Sequence, residues 1–339
     1  MILFQYTQLC KARLMAMVLV STAVGYVLAS QGTIHWTGLW LTVLGTGLAA
    51  GGAATLNQLL EADRDARMER TRNRPLPSGR ISRPHALVFG VTLALAGLGI
   101  LNEFVNPHTA LLGLANLVIY LAVYTPLKPR TSLNTLVGAI CGALPPLMGW
   151  SAVGEVSNLP SGGLASNWPG ALILALVLFF WQIPHFLSLA WLYRDDFARG
   201  GFCMLPVIDR TGRLTCLAIV VYSLALMPLT LLLTLWNVTG YLFGAASLVL
   251  GLGLFLLAVQ LRATRTRLAA RRVFLASIAY LPLLLALMVA DMRTVGQVSN
   301  LPNVPFGDLS LARQVENLPH GATVQTADAR PSSAAPGRE

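Results

Sequence analysis

Long apolar runs recur along most of the chain and alternate with short polar connections. Several runs reach or approach the roughly 20 residues that an α-helix needs to cross a hydrocarbon core about 30 Å thick. The pattern predicts an all-α integral membrane protein with nine transmembrane helices. The predicted spans are 14–30, 38–60, 84–103, 108–126, 134–153, 169–192, 214–236, 239–260 and 272–290.

The character of the sequence changes after the last apolar run. Residues 294–339 are rich in Pro, Ser, Gly and Ala and lack helical periodicity. Such a segment cannot bury enough apolar surface to offset the entropy of ordering. We therefore expect one polytopic membrane domain at 1–293 and a disordered tail at 294–339.

Composition and charge support this picture. The chain is 55% hydrophobic and 11% charged, which leaves too few polar side chains to cover a water-soluble globule. Its net charge of +10 is compatible with nucleic-acid binding or with the positive-inside bias of membrane proteins. Alternate connections, with the N-terminal arm, hold 20 of the 24 Lys and Arg residues. This alternation favours orientation and argues against nucleic acid, and it predicts a cytoplasmic N-terminus. No Arg- and Ser-rich, acid-poor leader is seen, which favours a bacterial cell inner membrane over a mitochondrial one.

The connection after the second predicted span has the densest group of charges. If the helix continues into it, Asn57, Glu61 and Asp65 recur every four residues, which places an amide and two carboxylates on one face. Mg²⁺ prefers oxygen ligands and commonly takes one or two carboxylates together with water and substrate phosphate. The row therefore predicts a site for Mg²⁺ and a diphosphate.

Seven arginines lie between residues 61 and 83, and they suit the same substrate. Guanidinium groups bind phosphate oxygens in bidentate fashion, so Arg70 and Arg74 are candidate diphosphate ligands. The alternative interpretation is that these charges only mark a helix end at the membrane surface and bind anionic lipid. Polar groups close to membrane depth are usually functional, which favours the site.

A second charged group ends the sixth predicted span. If that helix continues, Asp196 and Arg199 follow His185 by about three turns or more and line one wall. Asp196 is the candidate metal ligand, with Asp195 as the alternative, and Arg199 is a candidate diphosphate ligand. Metal held between the two acidic connections would clamp one diphosphate.

Two further positions admit two interpretations each. His185 lies in an apolar span, where it either hydrogen-bonds across helices or contacts a polar or metal-containing acceptor. Tyr124 and Lys128 lie between the two acidic connections. Lys128 can meet the diphosphate as a mobile point charge, or the pair can anchor a helix at the membrane surface.

These strings resemble the UbiA superfamily of intramembrane prenyltransferases, and within it the branch that farnesylates haem. The superfamily has two acid-rich motifs on cytoplasmic connections, and the matching residues here are Asn57, Glu61, Asp65 and Asp196. Glu61 departs from the superfamily pattern, which more often has Asp. The haem branch is indicated by MERTRNRPLPSG at 68–79, YTPLK at 124–128, GAICGALPP at 138–146, WQIPHF at 181–186 and RGGFCMLP at 199–206.

The resemblance implies a UbiA-type bundle that transfers a farnesyl group from farnesyl diphosphate to a vinyl group of haem B, with addition of water to give haem O. It implies Mg²⁺ held by Glu61, Asp65 and Asp196, and His185 and Tyr124 are the candidate haem contacts. Besides the lipid bilayer, the expected partners are a haem A synthase or the assembly of a haem-copper oxidase.

Two other functions compete with this one. Another branch of the superfamily would prenylate an aromatic acid or a quinone precursor, and the acceptor alone separates it from the haem branch. A membrane transporter would place polar groups along a pathway near the bilayer midplane, often at broken helices. The charges here cluster at one rim instead, which favours an enzyme.

Overall fold

The regular elements of the described chain are all helical. The structure is a computed structural model that describes residues 2–156 and 168–298. A π-helical stretch, Ile119–Tyr124, joins α5 to α6. The α-helices are α1 Ile2–Leu9, α2 Ala12–Ala29, α3 Trp36–Asp65, α4 Arg83–Phe104, α5 Pro107–Val118, α6 Thr125–Leu127, α7 Asn134–Val156, α8 Trp168–Leu192, α9 Arg194–Arg199, α10 Leu205–Ile208, α11 Arg213–Leu235, α12 Tyr241–Thr264 and α13 Arg267–Val298.

Eight helices within the described ranges are long and apolar enough to cross a membrane, counting α5 to α6 as one continuous element. The first predicted span is also helical, but its apolar part, Leu14–Ala29, is shorter than the other eight. The prediction of a polytopic α-helical membrane protein is confirmed. The prediction counted nine spans because it included this shorter helix, at 14–30.

Two predicted boundaries near the C-terminal end are wrong. α13 begins at Arg267, five residues before the predicted span at 272, because only residues 265–266 separate it from α12. It also continues to Val298, so residues 294–298 are helical and do not belong to a disordered tail. No proline interrupts the chain between Pro282 and Pro302, so the backbone can continue its hydrogen bonding past residue 293. The remainder of the predicted tail lies outside the described residues.

Glycines bring α3 and α4 close together. A Cβ atom on Gly97 would lie 2.3 Å from the backbone nitrogen of Ala49, and one on Gly52 would lie 2.6 Å from that of Ala94. These positions admit only hydrogen, so the two backbones pack at short range, as small residues allow in membrane helices. The close packing fixes the middle of α3, from which the helix continues to the acidic row.

The π-helical stretch orients the end of the span formed by α5 and α6. Its wider turn is seen where the Thr125 N–H donates to the carbonyl of Tyr120, five residues earlier. Such turns shift the register of the residues that follow, and they are frequent at functional sites. Here Thr125 and Lys128 reach the polar face of α3.

The charged connections lie together at one end of the bundle. We call this end the basic rim, and it comprises residues 66–82, 128–133, 193–212 and 265–266. Hydrogen bonds join its parts: the Cys203 N–H donates to the Lys128 carbonyl, and Arg267, at the start of α13, donates to the Leu192 carbonyl. The basic rim therefore gathers the two acidic connections that the sequence separates by more than a hundred residues.

Candidate active site

The acidic row of α3 is buried. α3 continues to Asp65, which confirms the helical continuation on which the prediction depended. Asn57, Glu61 and Asp65 are 0%, 5% and 1% exposed. Burial of two carboxylates is costly unless each has a countercharge or hydrogen-bond donors. The surroundings of each residue show how this cost is offset.

Each carboxylate of the row is paired with one of the predicted cations. Lys128 Nζ lies 2.7 Å from Glu61 Oε1, and Lys128 is itself buried. Arg74 donates to Asp65 Oδ2 at 2.7 Å. The structure thus brings two predicted diphosphate ligands to the predicted metal ligands. By contrast, Asp63 faces outward and pairs with Arg83, so it takes no part in the row.

Asn57 joins this cluster through two partners. Lys11 Nζ donates to its side-chain carbonyl at 2.6 Å, and its amide donates to Thr125 Oγ1 at 2.9 Å. Thr125 passes the chain of hydrogen bonds on to the carbonyl of Tyr120. The amide therefore links the N-terminal arm, α3 and the π-helical stretch.

Lys11 is a site residue that sequence analysis missed. It lies between α1 and α2 with left-handed backbone angles, φ 52° and ψ 48°. Burial, and after it the nearby Lys128 ammonium, lower the pKa of the Lys11 ammonium to about 7. In the sequence Lys11 was counted only as a positive charge beside the first span, and no local spacing connects it to Asn57.

Asp196 connects the two acidic segments by a different route from the one predicted. Its Oδ1 accepts from the Glu69 N–H at 2.9 Å and from Arg199 at 2.6 Å, and its Oδ2 accepts from the Arg70 N–H at 3.1 Å. Burial alone would raise the pKa of Asp196, but these three hydrogen bonds together lower it. Asp195 is 77% exposed at its side chain and contacts Arg194, so Asp196 is the better placed of the pair.

The continuous helix expected through His185, Asp196 and Arg199 is interrupted. α8 ends at Leu192, and a new helix, α9, begins at Arg194. Tyr193 lies between them with non-helical angles, φ −113° and ψ 25°, so helical spacing does not extend across it. Asp196 and Arg199 share α9, whereas His185 lies on α8.

The remaining predicted diphosphate ligands lie beside this junction. The Arg70 guanidinium lies over the rings of Tyr193 and Phe197, at 5.5 and 5.7 Å from their centroids. Arg199 contacts Glu69 at 3.3 Å in addition to Asp196. Both arginines are held by the basic rim near the buried row, without an ion pair to Glu61 or Asp65 in the described residues.

His185 and Tyr124 occupy separate surroundings. His185 Nδ1 lies 2.9 Å from the Ser277 hydroxyl of α13, which confirms a hydrogen bond across helices. Its ring stacks on Trp181 at 5.1 Å and lies 5.0 Å from Phe274. Tyr124 instead lies under the Lys128 ammonium, 4.5 Å from it, beside the diphosphate cluster. Their contacts with haem stay predictions.

The carboxylates of the site suit a metal ion that takes only part of its ligands from the protein and the rest from a substrate. Among the described residues, no three His, Cys, Asp or Glu side chains are grouped closely enough to hold an ion by themselves. Glu61 Oε1 is buried and accepts no hydrogen bond, because its contact with Lys128 lacks hydrogen-bond geometry. One or two carboxylates with substrate phosphate are the usual ligands of Mg²⁺, so Glu61 and Asp65 fit it.

A family model described as the UbiA prenyltransferase family matches residues 18–279, which is most of the chain. This chain belongs to the UbiA prenyltransferase family. It is 41% identical over 296 residues to a protoheme IX farnesyltransferase of Solibacter usitatus, covering 84% of this chain and 98% of that protein. It is also 39% identical over 294 residues to a mitochondrial protoheme IX farnesyltransferase of Homo sapiens, covering 85% of this chain and 62% of that protein.

Solved structures of the family share the fold at low sequence identity. A UbiA homologue from Archaeoglobus fulgidus, bound to GPP and Mg²⁺, superposes with a TM-score of 0.63 and 16% identity, covering 86% of this chain and 99% of that one. A digeranylgeranylglyceryl phosphate synthase superposes with a TM-score of 0.70 and 15% identity, covering 86% of this chain and 99% of that one. The helical bundle predicted from the apolar runs is therefore the UbiA fold.

Proposed function

We propose that this chain transfers a farnesyl group from farnesyl diphosphate to a vinyl group of haem B, with addition of water to give haem O. The observation that carries the proposal is the buried row of Glu61 and Asp65, each paired with a cation at the basic rim. The acceptor follows from the relatives named above, because protoheme IX farnesyltransferases match nearly the whole membrane domain at about 40% identity.

The cations of the row have a second use in this reaction. When the diphosphate arrives with Mg²⁺, Glu61 and Asp65 would hold the metal, and Lys128 and Arg74 would turn to phosphate oxygens. Arg70 and Arg199 would add further donors, since guanidinium groups bind phosphate in bidentate fashion. Bound Mg²⁺ would supply electrostatic stabilisation to the charge that develops on the departing diphosphate. Asp196 accepts hydrogen bonds from the backbone of Glu69 and Arg70. We propose that Asp196 either ligates the metal or holds this backbone segment in position.

The bond changes need no protein nucleophile. The allylic C–O bond of farnesyl diphosphate breaks, and the haem vinyl group forms a C–C bond to that carbon. Water adds to the resulting cation and releases a proton, leaving a hydroxyethylfarnesyl side chain. The protein would stabilise the separated charges of the transition state through preorganised cations. Such electrostatic stabilisation is usually the largest single contribution to rate enhancement.

The candidate haem surface is the aromatic group around His185. Trp181 and Phe274 flank its ring, and flat aromatic faces pack well against a planar acceptor. The hydrogen bond to Ser277 fixes the orientation of the imidazole. Tyr124 lies beside Lys128, where the end of an acceptor would approach the diphosphate.

Location and partners belong to the same proposal. The alternation of basic connections supports a cytoplasmic basic rim and N-terminus in a cell inner membrane. Haem O would leave the site within the bilayer, toward a haem A synthase or the assembly of a haem-copper oxidase. The isoprenoid chain would lie among the apolar helices while its diphosphate stays at the basic rim.

The decisive experiment is turnover by the purified chain. Haem B, farnesyl diphosphate and Mg²⁺ are incubated with the detergent-solubilised protein, and the extracted haem is analysed by mass spectrometry. We expect a gain of one farnesyl group plus one water, lost when a chelator removes the metal. Unchanged haem in a folded preparation would refute the acceptor, and a product with an aromatic or quinone precursor would assign the other branch.

Two substitutions test the metal ligands against a matched control. Glu61→Gln and Asp65→Asn each remove one buried carboxylate charge, and we expect turnover to fall by at least a factor of 100. Asp63→Asn changes the exposed carboxylate between them and should retain activity within about twofold, because surface charges contribute little. Full activity in both buried variants would remove the row from the mechanism.

A further inference from the structure

A second basic site lies where α11 begins and α12 ends. A cavity of about 200 Å³ opens there, lined by Arg213, Leu214, Leu217, Arg262 and Arg265. It shares no residue with the candidate active site, and the proposed reaction gives it no role. All three arginines are exposed and the lining of the cavity is almost wholly apolar, so their alkyl stems line the cavity and their guanidinium groups meet solvent, where an anion can bind.

The protein does not supply that anion. No carboxylate lies within ion-pair distance of these three arginines among the described residues. Asp209 precedes α11, but its oxygens accept from the Thr215 N–H and hydroxyl and from the Thr211 hydroxyl. The nearby carboxylate therefore bonds to the first turn of α11 and forms no ion pair with the three arginines in the part of the chain that the structure describes.

Helix dipoles account for only part of this arrangement. Arg262 and Arg265 lie at the C-terminal end of α12, where a dipole favours positive charge. Arg213 is the first residue of α11, where the dipole opposes a cation. Its position opposite the other two arginines points to an external anion.

The other wall of the cavity faces the bilayer. Leu214 and Leu217 are 63% and 41% exposed, and they belong to the apolar helix α11. The cavity is therefore apolar, and three exposed arginines border it. A soluble anion would use only the arginines, whereas a phospholipid would use both the arginines and the apolar lining.

We propose that this cavity binds the phosphate headgroup of an anionic phospholipid, whose acyl chains pack on Leu214 and Leu217. Basic pockets between helices on the cytoplasmic side of membrane proteins bind such headgroups, and each arginine near the surface contributes a factor of about five in affinity. The phosphate chemistry alone would also suit a soluble phosphate ester, and the experiment separates the two sources.

The test uses the full purified chain in detergent, with bound lipid counted by native mass spectrometry. Phosphatidylglycerol is titrated against phosphatidylcholine, and glycerol phosphate serves as the soluble phosphate. We expect a tight phosphatidylglycerol site that neither of the others occupies. The variant carrying Arg213→Gln, Arg262→Gln and Arg265→Gln should bind that lipid roughly a hundredfold more weakly.

Two controls keep the result interpretable. Arg130→Gln removes an exposed arginine of the basic rim outside the cavity and should leave lipid binding unchanged. Arg213→Gln alone relieves an unfavourable dipole interaction, so it should fold and still lose about fivefold in affinity. Equal lipid binding by the triple variant, equal occupancy by phosphatidylcholine, or equal binding of glycerol phosphate would each overturn the proposal.

Discussion

Lys11 is a charged residue outside the spans whose surroundings penalise its positive charge. Its pKa of about 7 lies far below the value of 10.5 for a lysine in water, because burial penalises the ammonium. Below that pH the site has one more positive charge than above it. Diphosphate binding should therefore weaken as the solution becomes more alkaline.

The pH profile of turnover tests this residue. We expect kcat/KM for farnesyl diphosphate to fall above about pH 7, since kcat/KM reports the ionisation of the free enzyme. Lys11→Met should lower kcat/KM about tenfold at pH 6 and abolish the break near pH 7. Because Lys11→Met also removes the donor to the side-chain carbonyl of Asn57, thermal unfolding at pH 6 checks that the variant is folded. An unchanged break in Lys11→Met would assign the ionisation to another group.

Asp196 fastens the backbone at Glu69 and Arg70. Asp196→Ala leaves two N–H groups without an acceptor and removes one of the two carboxylate partners of Arg199, and we expect a loss of about 2–3 kcal/mol in the stability of this contact. Residues 66–82 contain several arginines, so limited trypsin digestion should cut the variant there much faster than the parent. Asp195→Asn is the matched control. Equal cleavage of the two variants would mean that Asp196 does not hold this segment in position.

At the scale of whole elements, the contact between α3 and α4 sets the position of the acidic row. Gly97→Ala would place a methyl group 2.3 Å from the Ala49 nitrogen, so we expect a destabilisation of about 1–3 kcal/mol. Gly99→Ala meets nothing within 4 Å and should be neutral or slightly stabilising. Thermal unfolding of both variants in one detergent measures the difference. Equal melting temperatures would mean that the two helices can separate at no cost.

The sequence predicts helices well where regular helical spacing or a long apolar run determines them. The i, i+4, i+8 spacing placed Asn57, Glu61 and Asp65 correctly, because α3 keeps its period to Asp65. The same argument failed for His185 and Asp196, because Tyr193 leaves helical angles and no local residue announces this break. Helical periodicity is thus informative only as far as the helix lasts.

Contacts between distant segments were beyond such reasoning. Lys11 reaches Asn57 across 46 positions, and the backbone of Glu69 and Arg70 meets Asp196 across more than 120. These contacts depend on how α2, α3 and α9 pack, which spacing along one helix does not encode. The ion pair of Lys128 with Glu61 was likewise missed, and the contact of Lys128 with a diphosphate stays a prediction.

For the molecule as a whole, orientation in the membrane is the prediction with the widest consequence. If the basic rim is cytoplasmic, Ser78→Cys should react with an impermeant maleimide in inverted vesicles and be protected in intact spheroplasts. Tyr241→Cys, 88% exposed at the opposite end of α12, should show the reverse pattern. The parent chain, with its four native cysteines, provides the background. Reaction of both positions from the same side would refute the topology.

Glu61 and Asp65 are each paired with a cation, so binding of Mg²⁺ and diphosphate would exchange both partners at once. The carboxylates would pass from the cations to the metal, and the cations would pass from the carboxylates to phosphate. Under the proposed function, Mg²⁺ arriving alone would displace ammonium and guanidinium groups that would then have no anion, and a metal-free diphosphate would draw cations away from carboxylates that stay buried. When Mg²⁺ and diphosphate bind together, the metal would neutralise the carboxylates and the diphosphate would neutralise the displaced cations. Each should therefore bind weakly alone and strengthen the other by the same factor, so that farnesyl diphosphate enters as its magnesium salt.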